Sequence, residues 1–522
     1  MSSSETEEDP GNFGMAAVEE RQHFFSELKT ALRHTVVYGM GNVLAKAIGF
    51  LMLPFYTHYL NPVDYGILEV LDLSMSLFGM FLTMGMTAAV LRCYAAAKNE
   101  RDKKEVISTA FAFVVVTALI TYAIGFTLAR PVSSLLFGPE VPYKYLLTSF
   151  SAFICTYIII LPRTYLRALE KSGSFTIVDN AGLAVMLGLN IYLIAVAKIG
   201  LYGILLSGLI VGLGQLAILS TWVIRRAGVG FSMPWLRRML RFGAPLMFSN
   251  VAVFVLNFSD RFFLKHLTNL EIVGIYAVGY KFGYMMNYMV VQPFYVMWQG
   301  RMYAVHDQPD HEKVFARIFM LYSLVLITVG FAVSLFSPEI VHLMVGPKFF
   351  ASQAVIPVVV FAYVVWGIGF YTQTGMFLTN NTRLVALAGV FAAMLDLGLN
   401  YVLISNYGMI GAAWATLIAF AALAVASYYL SHRVLPLPLR GGRVCAAMGI
   451  ALALYVLSGY HVFASLATTM AVKAGLLALF PALLWKLQIL SPDDLHMLVA
   501  FRDDSVARVS RLVNLVSGRA AA

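Results

Sequence analysis

The feature that most constrains this chain is a succession of apolar stretches, each about as long as a helix that crosses a lipid bilayer. A membrane-spanning helix needs about 20 mostly apolar residues, and about fourteen stretches of the 522-residue sequence meet that need. Only 12% of the residues are charged, against about 25% in a typical soluble domain. The sequence therefore predicts an all-α polytopic membrane protein. The predicted spans cover residues 35–58, 67–91, 106–128, 144–168, 175–197, 200–224, 242–264, 270–298, 316–336, 353–377, 383–405, 410–430, 443–463 and 465–487.

The positive charges lie mainly on one side of these predicted spans. With the N-terminus in the cytoplasm, 27 of the 37 lysines and arginines lie in the inner loops, at the cytoplasmic ends of the adjoining spans or at the two ends of the chain. Cytoplasmic loops are enriched in these residues, so the pattern places both termini in the cytoplasm. The net charge of +10 then reflects membrane topology, and we expect no nucleic-acid partner. Residues 1–20 are acidic and polar, unlike the basic start of a cleavable signal peptide.

Two segments of the sequence recur at nearly the same spacing. The segment LGLNIYLIAVAKIGLYGILLSGLI, from Leu187, matches LGLNYVLISNYGMIGAAWATLI, from Leu397. The segment FYTHYLNPVDYGI, from Phe55, matches FFLKHLTNLEIVGI, from Phe262. The offset of about 208 residues contains six predicted spans, so both copies would enter the membrane in the same orientation, as in transporters built from parallel repeats.

This repeat predicts two parallel six-helix lobes around a central cavity, with two extra C-terminal helices outside it. We expect a cytoplasmic N-terminal segment, an N-lobe, a C-lobe, the extra helices and a cytoplasmic amphipathic tail. Their predicted boundaries are residues 1–33, 34–225, 226–434, 435–487 and 488–522.

Five cations lie inside predicted spans, where each costs about 2.5–3.5 kcal/mol near the centre of a span. Lys46 and Lys281 are the most central, one in each half of the repeat. We expect both to face the cleft between the lobes and to form a cationic chamber with Arg163 and Arg261. The alternative for each is an ion pair with a buried carboxylate that holds the helices together. Lys473 belongs to the extra helices and has the weakest claim to a function.

Four acidic residues are candidates for gating or coupling. Asp179 lies near the arginine of the fourth span, where a structural ion pair and a substrate contact are equally open. Asp260 directly precedes the arginine of the seventh span, and we expect a gate or interface pair there. Asp396 lies deep in the eleventh span, where it could hold a proton or cation or pair with a lysine. Asp72 lies near the outer start of the second span.

The sequence carries no recognisable catalytic motif. No ATP-binding G-x-x-x-x-G-K-[ST] occurs, and HEKVFAR, from His311, lacks the second histidine of a zinc-binding H-E-x-x-H. The three cysteines have no metal-ligand spacing. We therefore expect no enzyme, no cofactor and no metal site. A chamber with fixed cations favours a multiply anionic substrate, above all a diphosphate.

Three stretches resemble the bacterial polysaccharide flippases, the Wzx-type branch of the MOP exporter superfamily. The N-terminal signature of that family is similar to VVYGMGNVLAKAIGFLMLPFYTHYLNPVDYGILEVLDL. The start of its second half is similar to RFGAPLMFSNVAVFVLNFSDRFFLKHLTNLEIVGIYAVGYKFG, and its span 11–12 region to MLDLGLNYVLISNYGMIGAAWATLIAF. The resemblance covers about residues 34–435 in order.

The resemblance implies two lobes that rock between inward- and outward-open states. It implies that the protein moves polyprenyl-diphosphate-linked oligosaccharide, the repeat unit of a polysaccharide, across the bacterial inner membrane. Lys46 matches a position that is basic in related peptidoglycan-precursor flippases. Those relatives carry more arginines in this region, which argues against lipid II as the substrate, and their extra helices help to form a groove for the lipid tail.

The sequence leaves the driving force and two other functions open. Export needs a coupling ion such as H⁺ or Na⁺, the membrane potential or consumption of the product, and a glycan polymerase or export complex is a possible partner. A cation-coupled multidrug exporter of the same superfamily is the first alternative, and it predicts an acidic cavity. A lipid scramblase or a structural component of a glycan-export complex is the second.

Overall fold

The computed structural model describes residues 48–169, 172–459 and 465–489, which contain helices and turns but no β-strand. Ten of the helices are long and apolar enough to cross a membrane, and a bent helix, Met233–Leu267, raises the number to eleven. The chain is therefore an all-α, multi-pass membrane protein, as predicted. Lys46, the N-terminal segment and most of the C-terminal tail lie outside the described residues.

The contacts between residues divide the chain into two compact units. The first contains the described residues up to Met52 and Ser74–Phe248, and the second contains Leu53–Leu73 and the described residues from Ser249 onward. The lobe boundaries given above stay a prediction.

The α-helices are numbered here in chain order. The first eight are α1 (Leu53–Tyr59), α2 (Pro62–Thr83), α3 (Met86–Ala96), α4 (Glu100–Phe137), α5 (Tyr143–Ala168), α6 (Ser172–Ile191), α7 (Leu201–Ala227) and α8 (Met233–Leu267). The others are α9 (Leu270–Met286), α10 (Gln292–His306), α11 (His311–Leu335), α12 (Ser337–Met344), α13 (Ile356–Thr372), α14 (Thr374–Leu378), α15 (Thr382–Val434), α16 (Gly441–Gly459) and α17 (Leu466–Lys486). Two π-helical segments, Tyr192–Val196 and Asn287–Val291, and a 3₁₀ segment, Pro347–Ala354, complete the description.

The first unit has an apolar core to which five helices contribute. Val90 of α3, Val106 of α4, Leu161 of α5, Val223 of α7 and Met239 of α8 are all buried in it. Because these residues come from helices far apart in sequence, the core fixes the ends of α3 and α8 against each other.

Two predicted spans merge into one helix in the second unit. Helix α15 has 53 residues, a length of about 80 Å at 1.5 Å per residue, whereas the hydrocarbon core is only about 30 Å thick. The backbone breaks at Gly408, with φ 56° and ψ −132°. The break separates the predicted spans 383–405 and 410–430, so α15 accounts for both.

The predicted repeat has a counterpart in local backbone geometry. Gly200 has φ 64° and ψ −138°, nearly the angles of its repeat partner Gly408. Three residues further on, Gly203 and Gly411 each pack on the repeat-related leucine of the preceding segment. A Cβ atom at these glycines would lie 3.0 Å and 2.0 Å from that leucine, so the same turn occurs in both copies.

Helices α2 and α9 begin in equivalent ways. The Asn61 side chain accepts a hydrogen bond from the backbone N–H of Asp64 at 2.8 Å. The Asn269 side chain accepts one from the backbone N–H of Ile272 at 2.9 Å. Both are N-caps, and the two asparagines occupy the same position in the repeat.

The same two helices cross at a reciprocal glycine contact. A Cβ atom at Gly66 would lie 2.0 Å from the carbonyl oxygen of Leu270, and one at Gly274 would lie 2.0 Å from that of Pro62. The repeat offset relates Gly66 to Gly274 and Pro62 to Leu270. The glycine of each helix therefore packs on the equivalent carbonyl group of the other helix. Backbone meets backbone there, which only glycine permits.

We expect Gly66→Ala and Gly274→Ala each to lower the free energy of unfolding by about 1–3 kcal/mol or more, because the opposing atoms are backbone and cannot move aside as a side chain can. Thermal unfolding of the purified protein in detergent measures the effect. The control is Gly398→Ala in α15, where nothing lies within 4 Å of the added Cβ and the change should be neutral or slightly stabilising. Equal melting temperatures for all three variants would contradict the close contact.

Candidate functional site

Charged side chains from three helices meet inside the second unit. Glu69 comes from α2, Asp260 and Arg261 come from α8, and Lys281 comes from α9. The helices bring together residues up to 212 positions apart, and two tyrosines complete the group. We call this set the charge cluster, and it consists of Tyr65, Glu69, Asp260, Arg261, Tyr276 and Lys281.

Arg261 is the most buried member of the charge cluster, with 1% of its surface exposed. Its Nη1 lies 2.6 Å from Oδ1 of Asp260, and its Nε lies 3.8 Å from Oε1 of Glu69. The guanidinium also lies 3.6 Å from the centre of the Tyr280 ring, a favourable cation–π distance. Carboxylates and aromatic rings thus surround this cation, which forms an ion pair with Asp260.

Lys281 is the accessible cation of the charge cluster. Its ammonium donates a hydrogen bond to the Tyr65 hydroxyl at 2.6 Å and lies 3.9 Å from Oε2 of Glu69. Its side chain is 41% exposed, whereas that of Arg261 is 2% exposed. An ammonium has three donors, so Lys281 can bind a further acceptor while it keeps Tyr65.

Glu69 was not identified from the sequence as a candidate site residue, although it lies inside the predicted second span. Its two carboxylate oxygens face Arg261 and Lys281, so one anion is shared by two cations. An acidic residue within an apolar run was the signal that could have identified it. Asp72 lies nearly one turn further along α2 and is exposed.

Asp396 lies in a second buried polar group, on α15. Its Oδ2 accepts hydrogen bonds from Ser259 and Asn400, both at 2.9 Å. No lysine or arginine of the described residues forms an ion pair with it, and Asp396 Oδ1 and Asn400 Oδ1 are buried without a hydrogen-bond partner. A buried carboxylate with free oxygen atoms suits a proton or a hard cation.

The two buried polar groups share helix α8. Ser259, which bonds to Asp396, directly precedes Asp260 of the charge cluster. A change at Asp396 can therefore reach the charge cluster through one peptide unit.

Hydrogen-bonded tyrosine hydroxyl groups lie next to the charge cluster, on the side of Tyr280. The hydroxyls of Tyr280 and Tyr363 lie 2.7 Å apart. Tyr280 donates to the backbone carbonyl of Asn257, and Tyr363 donates to the Asn257 side chain. These contacts are internal, so the buried part of this aromatic group positions α8, α9 and α13.

The remaining charged candidates form ion pairs within their units. Arg163 of α5 lies 2.8 Å from Asp179 of α6 and donates a hydrogen bond to Gln215 of α7 at 3.2 Å, so it joins three helices. Lys473 of α17 lies 2.6 Å from Glu339 of α12, and both side chains are largely buried. The second pair fastens the extra helices to the second unit.

Lys46 lies outside the described residues, so the predicted pair of Lys46 and Lys281 stays a prediction. Within the described parts of the chain, no group of three or more histidine, cysteine, aspartate or glutamate residues could hold a metal ion.

Apolar helices of membrane-spanning length, an internal repeat and buried charges define a polytopic membrane protein. Its fold is similar to that of a solved structure titled lipid II flippase MurJ, inward closed conformation, with a TM-score of 0.70 and 11% identity over 87% of this chain and 100% of that one. It is also similar to an inward-facing multidrug resistance MATE family transporter of the MOP superfamily, with a TM-score of 0.60 and 12% identity over 76% of this chain and 94% of that one. The bent form of a MATE transporter from Vibrio cholerae gives a TM-score of 0.53 at 14% identity, over 78% of this chain and 96% of that one. The fold is therefore similar to that of these three membrane proteins.

The sequence comparison names the family within that fold. Residues 31–297, just over half of the chain, match the family described as polysaccharide biosynthesis protein. A protein of Haemophilus influenzae (strain ATCC 51907 / DSM 11121 / KW20 / Rd), the Lsg locus putative protein 1, is 24% identical over 259 residues, which are 47% of this chain and 60% of that relative's length. The chain belongs to the polysaccharide biosynthesis protein family.

The geometry separates the roles of the two cations of the charge cluster. We expect Arg261→Gln to destabilise the fold by about 3–5 kcal/mol, because it leaves Asp260 buried without its partner. Lys281→Gln should cost far less, since its side chain is partly exposed. Urea or thermal unfolding of both purified variants measures this difference, and equal loss of stability would contradict it.

Proposed function

We propose that the protein is a flippase that translocates polyprenyl-diphosphate-linked oligosaccharide across the bacterial inner membrane by alternating access, with both termini in the cytoplasm. Its family and its MOP-superfamily fold support transport linked to polysaccharide synthesis. The observation that carries the substrate class is Lys281, an accessible cation within a predicted span. The protein would hand its product to a glycan polymerase or export complex and would itself catalyse no bond change.

The contacts of Lys281 suit reversible binding of a diphosphate. Tyr65 holds the ammonium in place, and Glu69 lies 3.9 Å away, beyond hydrogen-bond distance. A diphosphate carries more negative charge than one carboxylate and can displace it, because Glu69 retains Arg261 as a partner. Lys46 is the proposed second cation, Arg261 would support the site through its ion pair, and Arg163 stays a candidate substrate-binding cation of the first unit.

Asp396 is the proposed coupling site for H⁺ or Na⁺. The unpartnered oxygens of Asp396 and Asn400 support it, together with the absence of an ion-pairing cation among the described residues. Binding of a proton or Na⁺ would change the charge next to Ser259, and the adjacent Asp260–Arg261 pair would sense it. Asp260, Asp179 and Asp72 stay candidates for gating.

We expect Lys281→Gln to reduce translocation at least tenfold and Lys281→Arg to retain part of it, because a charged hydrogen bond to phosphate is lost only in the first variant. The measurement is the transfer of a fluorescent undecaprenyl-diphosphate oligosaccharide across vesicles that contain the purified protein. Exposed Lys313→Gln, on the surface at the start of α11, is the matched control. Full activity of Lys281→Gln, alone and with Lys46→Gln, would exclude the cationic-site mechanism.

We expect Asp396→Asn to remove the dependence of translocation on an imposed H⁺ or Na⁺ gradient, because a neutral amide cannot exchange its charge. Initial rates in vesicles with and without each gradient measure this dependence. The same gradient response in the variant as in the wild type would place coupling elsewhere. Binding of the substrate should change little, which a titration of the purified variant checks.

A cation-coupled multidrug exporter is the second candidate, and the charges of the candidate-site residues in the second unit favour it. Among the charged candidates described above on α2, α8, α9 and α15, the carboxylates outnumber the cations: Glu69, Asp72, Asp260 and Asp396 against Arg261 and Lys281. An excess of carboxylates suits cationic drugs. Drug susceptibility of a pump-deleted host that expresses the protein separates the two functions, since only the exporter would confer resistance.

A further inference from the structure

Four arginines line one cavity in the first unit, away from the charge cluster. The cavity has a volume of about 700 Å³ and lies between the end of α3 and the beginning of α8. Arg92 comes from α3, and the others come from two successive turns of α8. We call it the arginine pocket, and its lining residues are Arg92, Cys93, Ala96, Arg237, Arg238, Arg241 and Phe242.

The arginine pocket has no internal counter-charge. None of its lining residues is acidic, and no carboxylate of the described residues forms an ion pair with any of the four guanidinium groups. Each guanidinium has five N–H donors in a planar fork that matches a phosphate group. Four like charges around one cavity repel each other, so a multiply charged anion stabilises the arrangement.

Aromatic side chains lie against two of the four guanidinium groups. The guanidinium of Arg92 lies 4.3 Å from the centre of the Phe242 ring, and that of Arg238 lies 4.8 Å from the Trp235 ring. A Cβ atom at Gly243 would lie only 2.3 Å from the carbonyl oxygen of Met84, so α8 packs directly on the backbone that precedes α3. Arg92 and Arg238 are thus positioned before an anion binds.

The position of the pocket identifies the anion. The predicted topology places the segment between α3 and α4 and the start of α8 at the cytoplasmic surface, and Trp235 beside the pocket is of the kind found at headgroup level. Arg226 lies over Trp222 at the end of α7 in the same way. Phosphate is the anion of lipid headgroups, and basic pockets between helices at the cytoplasmic surface bind such groups. The positive-inside rule accounts for arginines on this side, but not for four of them around one cavity.

We propose that the arginine pocket binds the headgroup of a membrane lipid that carries two phosphates. Four guanidinium groups provide two bidentate forks for each phosphate, whereas a single phosphate leaves half of them without a partner. The site is separate from Lys281 and from the proposed translocation: the pocket can hold a lipid whether or not the protein flips one.

The test compares Arg237→Gln/Arg241→Gln with Lys98→Gln/Lys104→Gln, which removes two charges from the neighbouring connection and start of α4. Both pairs lie on the surface, so size-exclusion profiles and melting temperatures should stay unchanged. Native mass spectrometry of the full chain in neutral detergent measures retention of added cardiolipin, undecaprenyl diphosphate, phosphatidylglycerol and inorganic pyrophosphate. We expect the arginine variant to lose about tenfold or more in affinity for the first two lipids, and the lysine variant to lose little.

Each outcome decides the proposal. Retention of either two-phosphate lipid above phosphatidylglycerol, lost only in the arginine variant, supports it, and the preferred lipid identifies the source. Equal loss in both variants, or equal retention of phosphatidylglycerol, would show general attraction to negative charge and overturn it. Pyrophosphate bound as tightly as the lipids would show a soluble ligand and overturn the lipid assignment. Vesicle translocation, measured in parallel, tests the proposed function independently of these results.

Discussion

The carboxylate of Glu69, shared between Arg261 and Lys281, is the interaction on which the second unit most depends. Charges within a membrane-spanning segment persist only with partners, because hydrocarbon cannot solvate them. Arg261 is enclosed by Asp260 and Glu69, so it holds α2 against α8. Lys281 reaches the same anion from α9 with part of its side chain exposed. The buried cation and the accessible cation thus share one carboxylate. A ligand that competes with Glu69 for Lys281 therefore also alters the contacts that hold the helices together.

Properties that depend on local sequence were predictable, and contacts between distant residues were not. The length of the apolar stretches and the low share of charged residues predicted an all-α membrane protein, since both are read directly from the sequence. The recurrence of Asn190 and Gly200 at Asn400 and Gly408 predicted a repeat, and the backbone angles of the glycines agree with it. Glu69 was missed because its partners lie about 190–210 residues away. Which cation is buried and which is exposed likewise depends on packing that no sequence pattern records.

The candidate site shows the same division. Asp260 beside Arg261 could be read as a pair from adjacency alone, whereas the neighbours of Asp396 come from α8 and from its own helix. In the sequence, Lys473 and Arg163 cannot be distinguished from cations that bind a substrate, since each interrupts an apolar stretch. The structure shows that they form ion pairs with Glu339 and Asp179, and these pairs arise from helix packing. A cation inside a span therefore indicates a partner more directly than it indicates a substrate.

The reciprocal contact of α2 and α9 also bears on the origin of the chain. Gly66 meets the carbonyl of Leu270, and Gly274 meets that of Pro62, so the contact has the symmetry of an interface between two identical subunits. In a dimer of a single-copy ancestor, one glycine and one carbonyl group per subunit would be enough to form both glycine–carbonyl contacts. Duplication and fusion of its gene would preserve the interface at once, and from then on each copy could diverge elsewhere while the crossing point stayed glycine in both.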